Sequence, residues 1–114
     1  MPVIVANYIL NLSAGGKFVV LMSLNDSDAG VLVLSDFSRD FQHRDIVRRW
    51  ENGRKSSLAA EGLRVAGGGW WKYQDDSILV LHGRSIDYGR FNPVWLKKNL
   101  VPGMVGREIR IDVR

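Results

Sequence analysis

The chain of 114 residues contains no cysteine. Disulfides, thiolate nucleophiles, iron–sulfur clusters and cysteine-based zinc sites are therefore excluded together, and a reducing compartment fits the composition. No apolar run approaches the ~18 residues of a membrane span. The start, Met1 to Tyr8, also lacks the basic n-region of a secretion signal. The expectation is a soluble, cytoplasmic chain with no membrane partner. Internal repeats, low-complexity tracts and linkers are missing too, so residues 1–114 read as one domain. There are only two histidines, and no spacing of His, Asp and Glu makes a plausible metal cluster. The acidic turn Asn25-Asp26-Ser27-Asp28-Ala29-Gly30 lacks the length and terminal glutamate of a calcium loop. No metal and no cofactor are expected. With thiolate and metal routes closed, histidine is what remains for phosphate-ester or amide chemistry.

What is present is an ordinary globular composition: 46% hydrophobic and 25% charged residues, in a chain long enough to bury a core and stand alone. The formal net charge of +4 is uneven. Residues 1–40 hold Lys17 and Arg39 against Asp26, Asp28, Asp36 and Asp40, a balance of −2, and the remainder carries +6. A basic C-terminal two thirds attracts anionic partners: phosphoprotein, nucleotide or nucleic acid.

Apolar patterning gives the elements. Val3 to Leu12 reads as a strand, broken by Ser13-Ala14-Gly15-Gly16 before a second strand from Lys17 to Leu24, together a hairpin candidate. After the acidic turn, Val31 to Leu34 is a third strand. Between Arg44 and Glu61 the period becomes helical: Ile46, Val47, Trp50 and Leu58 form the apolar stripe, and Gly62 closes the helix. Leu63 to Ala66 reads as a strand entering Gly67-Gly68-Gly69. Trp70 to Asp76 reads as a hairpin leading to Ser77–His82, a run so continuously apolar that a central strand is expected. Asn92-Pro93 starts a short helix through Leu100, stopped at Val101-Pro102-Gly103, and Arg107 to Val113 alternates as a half-buried strand. The sum is an α+β domain of about six strands and two helices.

Three short segments carry candidate chemistry. His43-Arg44-Asp45-Ile46 places an imidazole at a helix N-terminus, where unpaired N–H groups and the helix dipole favour an oxyanion. The ordinary imidazole pKa of ~6.5 lets His43 accept and return a proton near neutrality. Gly67-Gly68-Gly69 has no following Gly-Lys-Ser/Thr, so it is no Walker loop, but it permits close backbone approach. His82-Gly83-Arg84-Ser85-Ile86-Asp87-Tyr88-Gly89 is a polar loop at the end of the most apolar strand, a favoured place for a ligand, with Ser85 and Arg84 able to meet an anion. His82 itself reads as a packed strand residue.

The order of these pieces resembles the Janus/Ocnus family of phosphohistidine phosphatases. That family's pattern runs His-x-Asp-Ile at a helix start, Gly-Gly-Gly after the next strand, then an apolar strand ending in Gly-x-Ser-x-x-Tyr-Gly. The matching residues are His43, Asp45 and Ile46, then Gly67, Gly68 and Gly69, then Gly83, Ser85, Tyr88 and Gly89. The resemblance implies a single mixed β-sheet packed with two α-helices and a metal-independent hydrolase of phosphohistidine. It further implies His43 as general base, with a lysine corresponding to Lys17, the N–H of Arg44, Ser85 and the N–H of Asp87 around the phosphate, to which the loop itself adds Arg84. Its partner would be a phosphohistidine-bearing protein or a small phosphoramidate. Three departures stand out. The family usually has a small residue where Asp87 stands, Lys17 is one position out of register and so turned to the other face, and Trp70 and Trp71 follow the glycines where a basic residue can occur. Arg84 could compensate. Two other functions fit parts of the sequence: a phosphate- or acidic-partner-binding module without turnover, supported by Asp87 and the displaced Lys17, and nucleic-acid binding, suggested by Trp70, Trp71 and Tyr73 beside Lys72.

Overall fold

A computed structural model describes residues 3–7, 15–36, 42–75, 78–100 and 110–114. Among these residues six strands form one mixed sheet in the order β1-β3-β2-β4-β5-β6. They are β1 (Val3–Asn7), β2 (Gly15–Ser23), β3 (Gly30–Asp36), β4 (Leu63–Asp75), β5 (Ile78–His82) and β6 (Arg110–Val113). The edge strands β1 and β6 run parallel to their neighbours β3 and β5, and all inner pairings are antiparallel. Helix α1 (His43–Arg54) covers one face and α2 (Pro93–Asn99) lies on the other side. The architecture is the α+β sheet with two helices that the sequence implies.

Alternation along β2 decides which face is which. Val19 and Leu21 join Val31, Val33, Ile46, Val47 and Trp50 beneath α1. Phe18 and Val20 point the other way, into a larger cluster with Leu32, Leu34, Trp71, Leu79 and Leu96. Both faces of the central strands are dry, which is why β2, β3 and β5 read as nearly unbroken apolar runs.

Several sequence expectations change at this level. The hairpin of the first two strands does not form: β1 pairs with β3, in parallel, and β3 separates it from β2. The tight connection lies instead between β2 and β3, where the Ser23 hydroxyl accepts the N–H groups of Asn25 and Asp26. Residues 8–14, which carry the expected Gly turn's start, lie outside the described residues, as do the stop after α2 and the beginning of the last expected strand. Helix α1 is shorter than its apolar stripe. It ends at Arg54, with Lys55 in the left-handed region at φ 53°, and a 3₁₀ turn (Ala59–Glu61) follows. Leu58 still packs under the helix, because the Glu51 carboxylate accepts its N–H at 2.8 Å and folds the chain back.

The largest difference is β4. The glycines are no turn, and Trp70 to Asp75 belongs to the same 13-residue strand. Between the pairs Val19↔Gly68 and Leu21↔Val65, β4 spends one more residue than β2. That extra residue is a β-bulge, and it inverts the parity of the strand. Leu63 and Val65 face α1 before it, Trp71 and Tyr73 face the opposite core after it, and Trp70 turns to the α1 side. At φ 119° Gly67 takes a conformation that a side chain resists, and a Cβ there would fall 2.6 Å from the Phe91 nitrogen.

Candidate functional site

His43 is the first residue of α1, and the register of that helix is set by its neighbours. Gln42 N–H donates to the Asp45 carboxylate at 3.0 Å, satisfying one end of the cap, and Ile46 is fully buried one turn on. The helix is thereby pinned with the His43 ring against the sheet, where it is only 4% exposed. Its Nε2 lies 2.8 Å from the Gly69 carbonyl oxygen. A carbonyl can only accept, so Nε2 carries the hydrogen and Nδ1 is left as the basic nitrogen of the neutral ring. Burial pushes the His43 pKa below its usual value. The Gly69 carbonyl and the Asp87 charge oppose that shift and the Lys17 ammonium adds to it. At neutral pH the ring is uncharged, the form that can take a proton.

The loop from Gly83 to Phe91 is docked onto the bulge. Ser85 N–H donates to the Gly68 and Gly89 carbonyls at 3.1 and 3.2 Å, and Gly68 N–H donates to the Gly89 carbonyl at 3.2 Å. The Ser85 hydroxyl accepts from the N–H groups of Asp87 and Tyr88, both at 3.1 Å. Arg90 ties the loop's start to the chain end through the carbonyls of Gly83 and Arg114. Gly68 is the meeting point: a Cβ there would lie 3.0 Å from His43 Cδ2 and 3.3 Å from Ser85 Cβ. Segments 42 residues apart thus converge, with the imidazole of His43 on one side of Gly68 and the Ser85 turn on the other.

A pocket of about 340 Å³ opens where they meet. His43, Lys17, Arg84 and Asp87 line it, joined by Gln42, Trp70 and Ile86. Lys17 is on the α1 face with Val19 and Leu21, not turned away as the register comparison implied, because it alternates in step with them along β2. Its Nζ sits 5.2 Å from the Trp70 ring centroid, and the same ring meets His43 edge-on at 5.9 Å. Trp70 therefore positions both, a role hidden in the sequence by the bulge that reverses its face.

Other residues singled out in the sequence stand differently. The Arg44 N–H, read as a phosphate donor, donates to Asp87 Oδ2 at 3.3 Å. Ser85 is 2% exposed, its amide is engaged by the Gly68 and Gly89 carbonyls, and the amide of Asp87 is engaged by its hydroxyl. Both organise the turn that presents Arg84 and Asp87 to the pocket. His82 ends β5 opposite Trp70, half-buried, with its pKa lowered by burial and by the charges of Lys72 and Arg114. Tyr88 packs beneath α1, where burial and then the Asp87 and Glu51 charges push its hydroxyl pKa up. Trp71, 1% exposed, donates its indole N–H to the Ser35 carbonyl at 2.7 Å, and Tyr73 packs edge-on against it. These two rings serve the core and form no base-stacking platform with Lys72. Among the described residues no three His, Cys, Asp or Glu side chains come together as a metal site, and no helix is long and apolar enough to cross a membrane. The sequence of this chain matches none of the known protein-family models and none of the curated proteins with which it was compared.

Proposed function

We propose that this chain is a phosphohistidine-phosphatase-like hydrolase of phosphoramidates, with His43 as general base and no metal in its chemistry. The observation that carries the reading is a buried, neutral imidazole lining one pocket with two cationic side chains, Lys17 and Arg84. The motif order that resembles the Janus/Ocnus family supports it. Lys17 and Arg84 supply the positive field for phosphoryl oxygens, and preorganised charge of this kind is among the strongest contributors to catalysis. The Gly69 carbonyl fixes the tautomer. His43 Nδ1 then takes a proton from water as the water oxygen bonds to phosphorus, the P–N bond breaks, and the nitrogen leaves with its electron pair. Because the P–N bond is labile, positioning and charge suffice for such a substrate.

The test is His43→Gln, whose side-chain amide can still donate to the Gly69 carbonyl but offers no base. Phosphate release from a phosphohistidine-bearing peptide should fall by about 10²-fold or more, with the thermal unfolding midpoint close to that of the wild type. Undiminished release would overturn the assignment.

A second reading, a phosphate- or acidic-partner-binding module without turnover, is favoured by the Asp87 carboxylate on the Arg44 amide. Anion binding with no hydrolysis of any of several phosphoamino acids would establish it over the enzyme.

A further inference from the structure

Asp87 is the feature that the phosphatase reading leaves unexplained. A pocket built only for a phosphate monoester gains nothing from a carboxylate, since like charges repel. Yet Asp87 is held in place from two directions. Its N–H donates to the buried Ser85 hydroxyl, and its Oδ2 accepts from the Arg44 N–H, so a fixed turn carries the carboxylate to the pocket wall. The pocket therefore has mixed polarity: Lys17 and Arg84 for negative charge, Asp87 for positive charge.

We infer that Asp87 is a specificity-determining residue, selecting substrates whose phosphoryl group hangs on a nitrogen that carries positive charge. The inference rests on the phosphoramidate reading and narrows its substrate class. In a phosphorylated imidazole the remote ring nitrogen takes up a proton, and its N–H can donate to the carboxylate while the phosphoryl oxygens lie toward the cations. That charge weakens the P–N bond. As the water oxygen bonds to phosphorus, the P–N electron pair returns to the ring, which departs as neutral imidazole. One water proton passes to His43 and on to solvent, and hydrogen phosphate is left. An oxygen ester has no corresponding cation, so it meets the carboxylate as pure repulsion.

The experiment compares kcat/KM of the wild type, Asp87→Asn and Asp87→Glu on three substrates: a phosphohistidine-bearing peptide, free phosphoimidazole and p-nitrophenyl phosphate. Loss of one charge-assisted hydrogen bond should lower both P–N rates of the Asn variant by about tenfold or more, while its p-nitrophenyl phosphate rate rises. The Glu variant, which keeps the charge, should keep the wild-type preference, separating recognition from any loosening of the Ser85 turn. An equal change on all three substrates in the Asn variant would overturn the inference, as would no change, or a loss confined to the peptide. A wild type that turns over neither P–N substrate would bring down the phosphoramidate reading as well. A wild type that does so, with its preference unmoved by Asn, would bring down this inference alone.

Discussion

Gly68 leaves no room for a side chain between His43 and Ser85. A methyl group there would sit 2.6 Å from the Phe18 carbonyl oxygen and 3.0 Å from the His43 ring. The carbonyl is part of the β2–β4 ladder and cannot give, so the imidazole or the strand must move. Gly68→Ala should lose about 1–3 kcal/mol of stability, the usual cost of overpacking, read by urea denaturation. It should also lower turnover by displacing the ring. At this level the sequence was partly readable. His43, Lys17, Arg84 and Asp87 were identifiable from residue type and position. Ser85 was assigned to a ligand because hydroxyl and amide donors are ambiguous in a sequence. Its hydroxyl accepts from within its own loop, but its amide donates to Gly68 of β4 as well as to Gly89, and nothing in Gly-x-Ser announces which carbonyls will be near. Ile86, 98% exposed at the pocket rim, and Gln42 gave no signal at all, since neither residue type implies a site.

Among the elements, α1 shows how a period can overstate a helix. Leu58 continues the apolar stripe, but it reaches the core after the chain has left the helix through Lys55. A lysine at φ 53° carries a steric cost that glycine does not, and glycine is the usual residue at this position. Lys55→Gly should therefore stabilise the fold by about 0.5–1 kcal/mol, seen as a higher urea midpoint with an unchanged slope. Helix α2, by contrast, was legible to the residue at its start. Asn92 caps it by accepting the Trp95 N–H at 3.0 Å, and Pro93 occupies the first turn where no donor is missed. The positions of β2, β3 and β5 are readable from apolar runs, but the extent of β4, whose glycines read as a turn, and the strand partners are not. The parallel pairing of β1 with β3 depends on contacts 27 residues apart, and no local pattern in Val3–Asn7 specifies which edge it joins.

For the molecule as a whole, both histidines are pushed toward their neutral forms by burial. As pH falls past the ordinary imidazole value of ~6.5, the unfolded chain takes up protons that the folded one resists. Their contribution is therefore complete above about pH 6.5 and is lost as pH falls toward the folded-state values, with a limiting slope of about 1.4 kcal/mol per pH unit for each proton. Urea midpoints at pH 7.5 and 5.5 should show the lower stability at 5.5, and His43→Gln should flatten the difference. Fold class was legible throughout, because two dry sheet faces and two amphipathic helices leave few ways to bury their apolar surface. The convergence of β2, α1, β4 and the loop after β5 was not written in any single segment. It follows from the sheet order and from the bulge.

That bulge gives the chain an odd counting rule. Up to Ala66 the odd-numbered residues of β4 look toward α1, and from Gly68 to Tyr73 the even-numbered ones do. Deleting Gly67 would restore an unbroken alternation and thereby exchange neighbours: Trp71 would be driven out of the core, Trp70 into it, and the Gly69 carbonyl away from the imidazole. At this one position a side chain would meet the Phe91 backbone and a shorter strand would exchange its two faces, so the bulge fixes both the residue type and the length.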